Sequence, residues 1–225
     1  REISLKTAKQ VKKILKKNYK VFQCDFDKNF LLNLKKFKPN IIFNALHGRF
    51  GEDGFVQSIL ESKKIKYTHS GVLSSALAMD KVASKEIFKK NKILTPKYIK
   101  FENHNLNKLN IKKKIKKLFN FPVVIKPINE GSSVDVFICT EKNLMKNLFK
   151  LKKYKEVLIE EYIGGREIQV AVLGKRKLGA IELKPKRKFY DYNAKYNLKA
   201  KTEHIIPVKI SKKNMIKVLS LAYRA

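Results

Sequence analysis

Apolar residues in the first third of the chain alternate between helical spacing and short continuous runs. Residues 4–18 place apolar side chains three and four positions apart, which predicts an amphipathic helix. Residues 40–46 form a continuous apolar run, as expected of a strand buried on both faces of a parallel sheet. Strands that alternate with helices predict an open α/β sheet with right-handed crossovers. The predicted elements are helix 4–18, strands 19–26 and 40–46, helix 53–63, strand 66–68, and helices 71–79 and 80–91.

The pattern changes after residue 96 and favours an α+β arrangement with antiparallel strands. A hairpin is predicted to turn at Gly174, and a long polar loop with several aromatic residues follows it. We place domain boundaries near residues 70 and 162. The predicted elements are strands 97–101, 121–127, 134–140 and 156–161, helices 111–120 and 141–152, hairpin strands 167–173 and 177–184, loop 185–201, and helix 211–225.

The net charge of +33 raises the question of nucleic-acid binding. Only six of the 52 basic residues are arginines, whereas specific recognition of phosphates and bases favours the planar guanidinium group. A codon bias towards lysine therefore explains the charge more simply than a nucleic-acid partner. The chain shows no apolar run of membrane-spanning length and no signal peptide, and its two cysteines lack metal-ligand spacing. These features predict a cytoplasmic protein without a membrane or nucleic-acid partner.

The string HGRFGEDG at residues 47–54 follows the predicted strand 40–46 and opens a helix. Ligands of open α/β sheets bind at the carboxyl ends of strands. Its glycines permit a tight turn, and a helix N-terminus offers N–H groups to an anion such as a carboxylate. In the alternative interpretation, Asp53 caps the helix and His47 packs in the turn.

A second string, FPVVIKPINEGSSV, delivers Lys126 to the end of a buried strand and continues into a Gly-Ser-Ser loop. Small residues let backbone N–H groups approach a phosphate, and Lys126 would add a point charge. The alternative is a plain turn. Asp135 follows this loop, and we expect its carboxylate to point away from any bound phosphate.

Two further strings combine polar chemistry with a loop. In VLIEEYIGGRE a strand runs through Glu160 into a Gly-Gly bend and on to Glu167, but a hairpin with surface glutamates would have the same sequence. In the loop FYDYNAKY, which ends at Tyr196, aromatic packing alone could order the chain.

These strings, in this order, resemble those of the D-alanine–D-alanine ligases, which belong to the ATP-grasp superfamily: HGxxGEDG, EGSSV and YDYxAKY are the matching motifs. Asp135 departs from the pattern, because the family has Gly there. The resemblance implies an ATP-grasp fold preceded by a Rossmann-like N-terminal domain, with a truncated C-terminal domain. It divides the chain into a substrate domain at residues 1–70 without its first strand, a central lid domain at 71–162, and an incomplete C-terminal domain at 163–225.

The resemblance also implies roles for individual residues. Tyr196 is expected to hydrogen-bond Ser132, and Lys195 to approach the transferred phosphate. Lys81, in the string SSALAMDK, resembles the second phosphate lysine of the family, although it could be one more solvated helix lysine. The implied catalytic residues are Ser132, Tyr196, Lys195 and His47. The implied ATP-binding residues are Lys81, Lys126, Glu130, Ser132, Ser133, Glu160, Glu161, Tyr162, Ile163 and Glu167.

The implied reaction joins two D-alanines through an acyl phosphate, with ATP and Mg²⁺ or Mn²⁺, for synthesis of the peptidoglycan precursor; a homodimer is also implied. The metal ligands are expected beyond Ala225 and the glutamate for the first D-alanine ammonium just before Arg1, so we expect the 225 residues alone to be inactive. Three alternatives stay open: a ligase with D-lactate or D-serine as second substrate, a non-catalytic remnant, and a basic nucleic-acid-binding protein.

Overall fold

The structure is a computed structural model that describes residues 1–103, 108–186 and 192–225. The chain forms two compact units, Arg1–Met79 and Asp80–Ala225. No helix within the described residues is both long and apolar enough to cross a membrane.

The N-terminal unit is a small α/β unit. Its two strands pair in parallel, with Ile41 opposite Lys66, as the alternating pattern predicts. Phe30, Val56 and Leu60 form its buried core. The elements are α1 (Glu2–Leu15), α2 (Phe30–Phe37), β1 (Ile41–Ile42), α3 (Phe55–Ser62), β2 (Lys66–Tyr67) and α4 (Val72–Met79).

One strand prediction for this unit is wrong, and a second is confirmed over only two residues. Residues 19–26 form no strand, because the carboxylates of Asp25 and Asp27 accept hydrogen bonds from nearby backbone N–H groups and turn the chain into α2. The run 40–46 contributes only the two-residue strand β1, and Ile41 and Phe43 are exposed. Ile42 packs against the core of Phe30, Val56 and Leu60, whereas the side of the strand that carries Ile41 and Phe43 is uncovered.

The C-terminal unit begins with a four-stranded antiparallel sheet in the order β3-β6-β4-β5. The apolar faces of α6 and α7 complete its core, in which Ile115, Ile125, Leu148 and Ile159 are fully buried. The elements are α5 (Lys81–Lys90), β3 (Tyr98–Glu102), α6 (Lys108–Leu118), β4 (Val123–Pro127), β5 (Phe137–Cys139), α7 (Leu144–Lys150) and β6 (Glu156–Glu161).

A second antiparallel sheet has the order β7-β8-β9, and α9 lies against β7 and β8. The predicted hairpin is confirmed. The predicted loop 185–201 contains a short helix and a 3₁₀ turn at Leu198–Ala200, while Phe189, Tyr190 and Asp191 lie outside the described residues. The elements are β7 (Glu167–Leu173), β8 (Arg176–Lys184), α8 (Tyr192–Tyr196), β9 (Glu203–Ile205) and α9 (Lys212–Arg224).

Candidate active site

The start of α5 is hydrogen-bonded to the segment that follows β4. Asp80 caps the helix by accepting hydrogen bonds from the backbone N–H groups of Val82 and Ala83. The Lys81 backbone N–H and its ammonium both donate to the Ile128 carbonyl, at 3.2 and 3.1 Å. The ammonium also donates to the Glu130 carbonyl. Lys81 is therefore held beside the Gly-Ser-Ser loop and is not a solvated helix lysine.

The register of β4 and β6 brings Lys126 and Glu160 onto one face of the sheet. Val124 lies opposite Glu160 and Lys126 opposite Leu158, so Lys126 and Glu160 are diagonal neighbours. The Lys126 ammonium contacts Oε1 of Glu160. Glu160 is only 6% exposed, which excludes the interpretation of a surface glutamate at this position.

A second lysine, which the sequence did not single out, completes this ion cluster. Lys85 is 6% exposed, and its ammonium lies 2.9 Å from Oε2 of Glu160. It also donates to the Thr95 hydroxyl at 2.8 Å and to the Pro96 carbonyl at 2.9 Å. All three donor positions of this ammonium are thus used, which a buried cation requires. Its signal in the sequence is weak: Lys85 stands one helical turn after Lys81, on the same side of α5.

Burial and mutual repulsion both lower the pKa of lysines in this site. Burial, and then the nearby charge of Lys126, lower the pKa of Lys81 to about 8. Burial also lowers the pKa of Lys85, which Glu160 opposes. Lys81 and Lys126 therefore repel each other, and a polyanion that contacts both would relieve this repulsion. This electrostatic arrangement suits a phosphate chain.

The Gly-Ser-Ser loop has left-handed backbone angles at Ser132 and Ser133, with φ of 53° and 58°. Its Ser132 hydroxyl shares a 2.7 Å hydrogen bond with the hydroxyl of Tyr196, the last residue of α8. The hydrogen bond expected between these two residues is therefore present. It connects the loop to the polar segment that precedes β9.

Asp135 points away from the loop, as expected. Its carboxylate accepts a 2.7 Å hydrogen bond from the Tyr154 hydroxyl and lies 2.8 Å from the Lys153 ammonium. Lys153 holds the pKa of this carboxyl below its ordinary value. The negative charge that replaces the family glycine is thus directed towards the turn between α7 and β6.

The other predicted nucleotide residues lie along β6 and β7. The Glu161 backbone N–H donates a 2.9 Å hydrogen bond to the Lys97 carbonyl. Ile163, which follows the strand, is exposed. Burial raises the pKa of Glu167, and the positive charge of Lys195 opposes that shift. Burial likewise lowers the pKa of Lys195. Tyr162 follows directly after β6, and the nucleotide roles of these residues stay predictions.

His47 and its motif belong to the N-terminal unit. Its Nε2 lies 3.1 Å from the Thr7 hydroxyl, and its backbone N–H donates to the Ser4 hydroxyl. The Asp53 carboxylate accepts from the backbone N–H groups of Phe50 and Phe55, but the N-cap residue of α3 is Gly54, so Asp53 is not the helix cap of the alternative interpretation. A catalytic role for His47 stays a prediction.

Gly51 is a sterically constrained residue of this motif. Buried Asn44 and Gln57 both donate side-chain hydrogen bonds to its carbonyl, at 2.8 and 3.0 Å. A Cβ at Gly51 would overlap the Leu46 side chain and lie 3.0 Å from the Leu46 carbonyl carbon. Asn44 and Gln57 were missed in the sequence, although each is a polar residue within an apolar run or helix face.

Across residues 1–103, 108–186 and 192–225, no three His, Cys, Asp or Glu side chains cluster to hold a metal ion. These residues therefore do not fit a complete Mg²⁺ site.

A four-stranded antiparallel sheet with Lys81 and Lys126 beside a Gly-Ser-Ser loop, to which a tyrosine is hydrogen-bonded, is the arrangement expected of the ATP-grasp class. The family model "D-ala D-ala ligase C-terminus" matches residues 87–225. D-alanine–D-alanine ligase of Pelagibacter ubique is 63% identical over the whole chain, which covers 74% of that protein. The chain belongs to the D-alanine–D-alanine ligase family.

Solved structures agree in fold. The D-alanine–D-alanine ligase of Bacillus anthracis matches 99% of this chain, with a TM-score of 0.80 and 32% identity, and 73% of its own chain is covered. The same enzyme complexed with ATP matches 99% of this chain with a TM-score of 0.74 and 28% identity, over 72% of its chain. The chain thus spans about three quarters of these relatives.

Replacement of Gly51 by Ala should destabilise the protein by about 1–3 kcal/mol, because the new methyl group overlaps Leu46 and displaces the carbonyl that Asn44 and Gln57 bind. Denaturant unfolding measures the change. Gly71→Ala is the matched control, since its Cβ would meet no atom closer than 3.9 Å. Equal effects of the two substitutions would contradict the packing described here.

The affinity for ADP should fall as the pH rises past about 8. Lys81 loses its proton in that range, and only the charged form attracts phosphate. Isothermal titration between pH 7 and pH 9.5 measures the effect, and Lys81→Arg, which stays charged, should flatten the profile. A wild-type profile that is already flat would count against a phosphate role for Lys81.

Proposed function

We propose that the full-length protein joins two D-alanines to D-alanyl-D-alanine, with ATP converted to ADP and phosphate, for peptidoglycan precursor synthesis. Family membership supports this proposal. The observation that carries it is the arrangement at the end of β4: Lys81 is fastened to the segment that leads into the Gly-Ser-Ser loop, Lys126 stands on the strand, and Ser132 contacts Tyr196.

The proposed reaction has two steps. A carboxylate oxygen of the first D-alanine attacks the γ-phosphorus of ATP, and ADP leaves, which produces an acyl phosphate. The neutral amine of the second D-alanine then attacks the acyl carbon. Phosphate leaves with the bonding electrons of the C–O bond, and the nitrogen loses a proton to give the amide. Both steps build negative charge on oxygen atoms, so positioned cations and N–H donors lower their barriers.

The residues of this chain supply the electrostatic part of that chemistry. Lys81 and Lys126 offset the charge of the triphosphate, and Lys195 approaches the phosphate that is transferred. The backbone N–H groups of the loop around Ser132 and Ser133 add donors. Tyr196 holds the loop closed through Ser132, which keeps water from the acyl phosphate. His47 and the start of α3 bind the first D-alanine carboxylate.

The adenosine part is assigned to β6 and the segment after it. Glu160 accepts from the adenine amine, the segment from Glu161 through Tyr162 to Ile163 meets the ring edge, and Glu167 binds the ribose hydroxyls. The Glu130 backbone keeps Lys81 in place.

We further propose that Mg²⁺ or Mn²⁺ accompanies the triphosphate, although this chain is assigned no metal ligand. The domains run over residues 1–70, 71–162 and 163–225. The protein works in the cytoplasm as a homodimer, without a membrane or nucleic-acid partner.

The test is product analysis with the full-length protein, Mg²⁺-ATP and D-alanine. We expect ADP release that depends on D-alanine and a dipeptide identified by mass spectrometry. Mixtures with D-serine and D-lactate decide the acceptor, and a depsipeptide or a D-alanyl-D-serine product would contradict the proposal.

Tyr196→Phe tests the proposed role of the hydrogen bond between Tyr196 and Ser132 in keeping the Gly-Ser-Ser loop closed. Loss of a hydrogen bond worth about 0.5–1.5 kcal/mol should lower kcat by roughly 2- to 13-fold and raise the fraction of ATP hydrolysed without ligation. The control is Tyr223→Phe on α9, which has no part in the site. Unchanged coupling of hydrolysis to ligation in Tyr196→Phe would contradict the role of the tyrosine.

A further inference from the structure

The buried carboxylate of Glu160 has two cationic partners. Lys126 contacts Oε1, and Lys85 lies 2.9 Å from Oε2. The two lysines differ in their other contacts. The Lys85 side chain is 7% exposed and also donates to Thr95 and Pro96, whereas the Lys126 side chain is 20% exposed. Lys85 is therefore fixed in place, while Lys126 is accessible to a ligand.

The proposed function places two demands on Lys126. It neutralises Glu160 in the absence of nucleotide, and it contacts the phosphate chain when nucleotide is bound. If Lys126 were the only partner of Glu160, its movement to phosphate would leave a buried carboxylate without a counter-ion. Such a group takes up a proton, because burial disfavours the charged form.

We infer that Lys85 is a positioning residue that remains paired with Glu160 when Lys126 turns to the nucleotide, so that Glu160 stays ionised throughout. An ionised Oε1 that Lys126 has left can accept a hydrogen bond from the adenine amine, whereas a protonated oxygen would present a donor there. Lys85 thereby favours adenine over a base that carries a carbonyl at this position. This inference rests on the proposed function, which assigns Lys126 and Glu160 to ATP.

The charged groups around Glu160 come from three elements. Helix α5 contributes Lys81 and Lys85, and strand β4 contributes Lys126. Strand β3 places Tyr98 opposite Glu160, and the Tyr98 hydroxyl donates to Glu86. Among these groups Lys85 alone combines burial with a direct contact to Oε2.

The experiment measures protons exchanged on ADP binding by the full-length protein. Calorimetry in two buffers of different ionisation enthalpy gives this number, and pH 6.5 keeps Lys81 protonated. We expect Lys85→Met to take up close to one proton per ADP more than the wild type. As the pH increases, the Kd of the variant for ADP should rise by up to about tenfold per pH unit relative to the wild type, because the variant takes up one more proton on binding.

Two further variants separate this role from a merely structural one. Lys90→Met removes an exposed lysine from the same helix and should leave the proton count at the wild-type value. Lys85→Met/Glu160→Gln lacks the carboxylate and should lose the extra proton. A single variant Lys85→Met with the wild-type proton count would overturn the inference, and so would an extra proton that persists in the double variant.

A measurement on the wild type keeps the inference testable if Lys85→Met does not fold. The ¹³C chemical shift of the Glu160 carboxyl in the ADP complex at pH 6.5 should be that of a carboxylate, and the shift of a carboxylic acid would overturn the inference. Absence of ADP binding by the wild type would instead refute the proposed function itself.

Discussion

The antiparallel register of β4 and β6 is the constraint on which the candidate site depends. It puts Lys126 and Glu160 on one face of the sheet, and the low exposure of Glu160 then requires cations around it. Lys85 meets that requirement from α5, whose first residue, Lys81, is fastened to the segment after β4. A slip of one residue in this register would send Lys126 to the opposite face and separate the cluster.

The placement of the lysines in this cluster explains why it suits a polyanion. Lys81, Lys85 and Lys126 lie near the buried Glu160, and burial, followed by the charge of Lys126, lowers the pKa of Lys81. The Gly-Ser-Ser loop adds backbone donors, and the Asp135 carboxylate that follows it is bound by Lys153 and Tyr154. The net charge of +33 is thus a poor guide to function, whereas the placement of three lysines is informative.

The sequence predicted most helices and the antiparallel sheets, and local strings predicted the contact between Ser132 and Tyr196. It failed where local side-chain hydrogen bonds or solvent exposure override a pattern. Hydrogen bonds to the Asp25 and Asp27 side chains produce a turn where a strand was predicted. Helix α2 was not predicted, because its Leu31 and Leu32 side chains face solvent. Lys85 was missed for another reason: in a lysine-rich chain, no sequence feature distinguishes the lysine that is buried against Glu160.

The central claim is that Lys81, Lys126 and the Ser132 loop act on one nucleotide, and an experimental structure of the full-length protein with ADP tests it most directly. The account predicts phosphate oxygens within about 3.2 Å of the Lys81 and Lys126 ammonium groups, with Glu160 still paired with Lys85. Phosphates bound away from both lysines, or a nucleotide remote from β6, would contradict it.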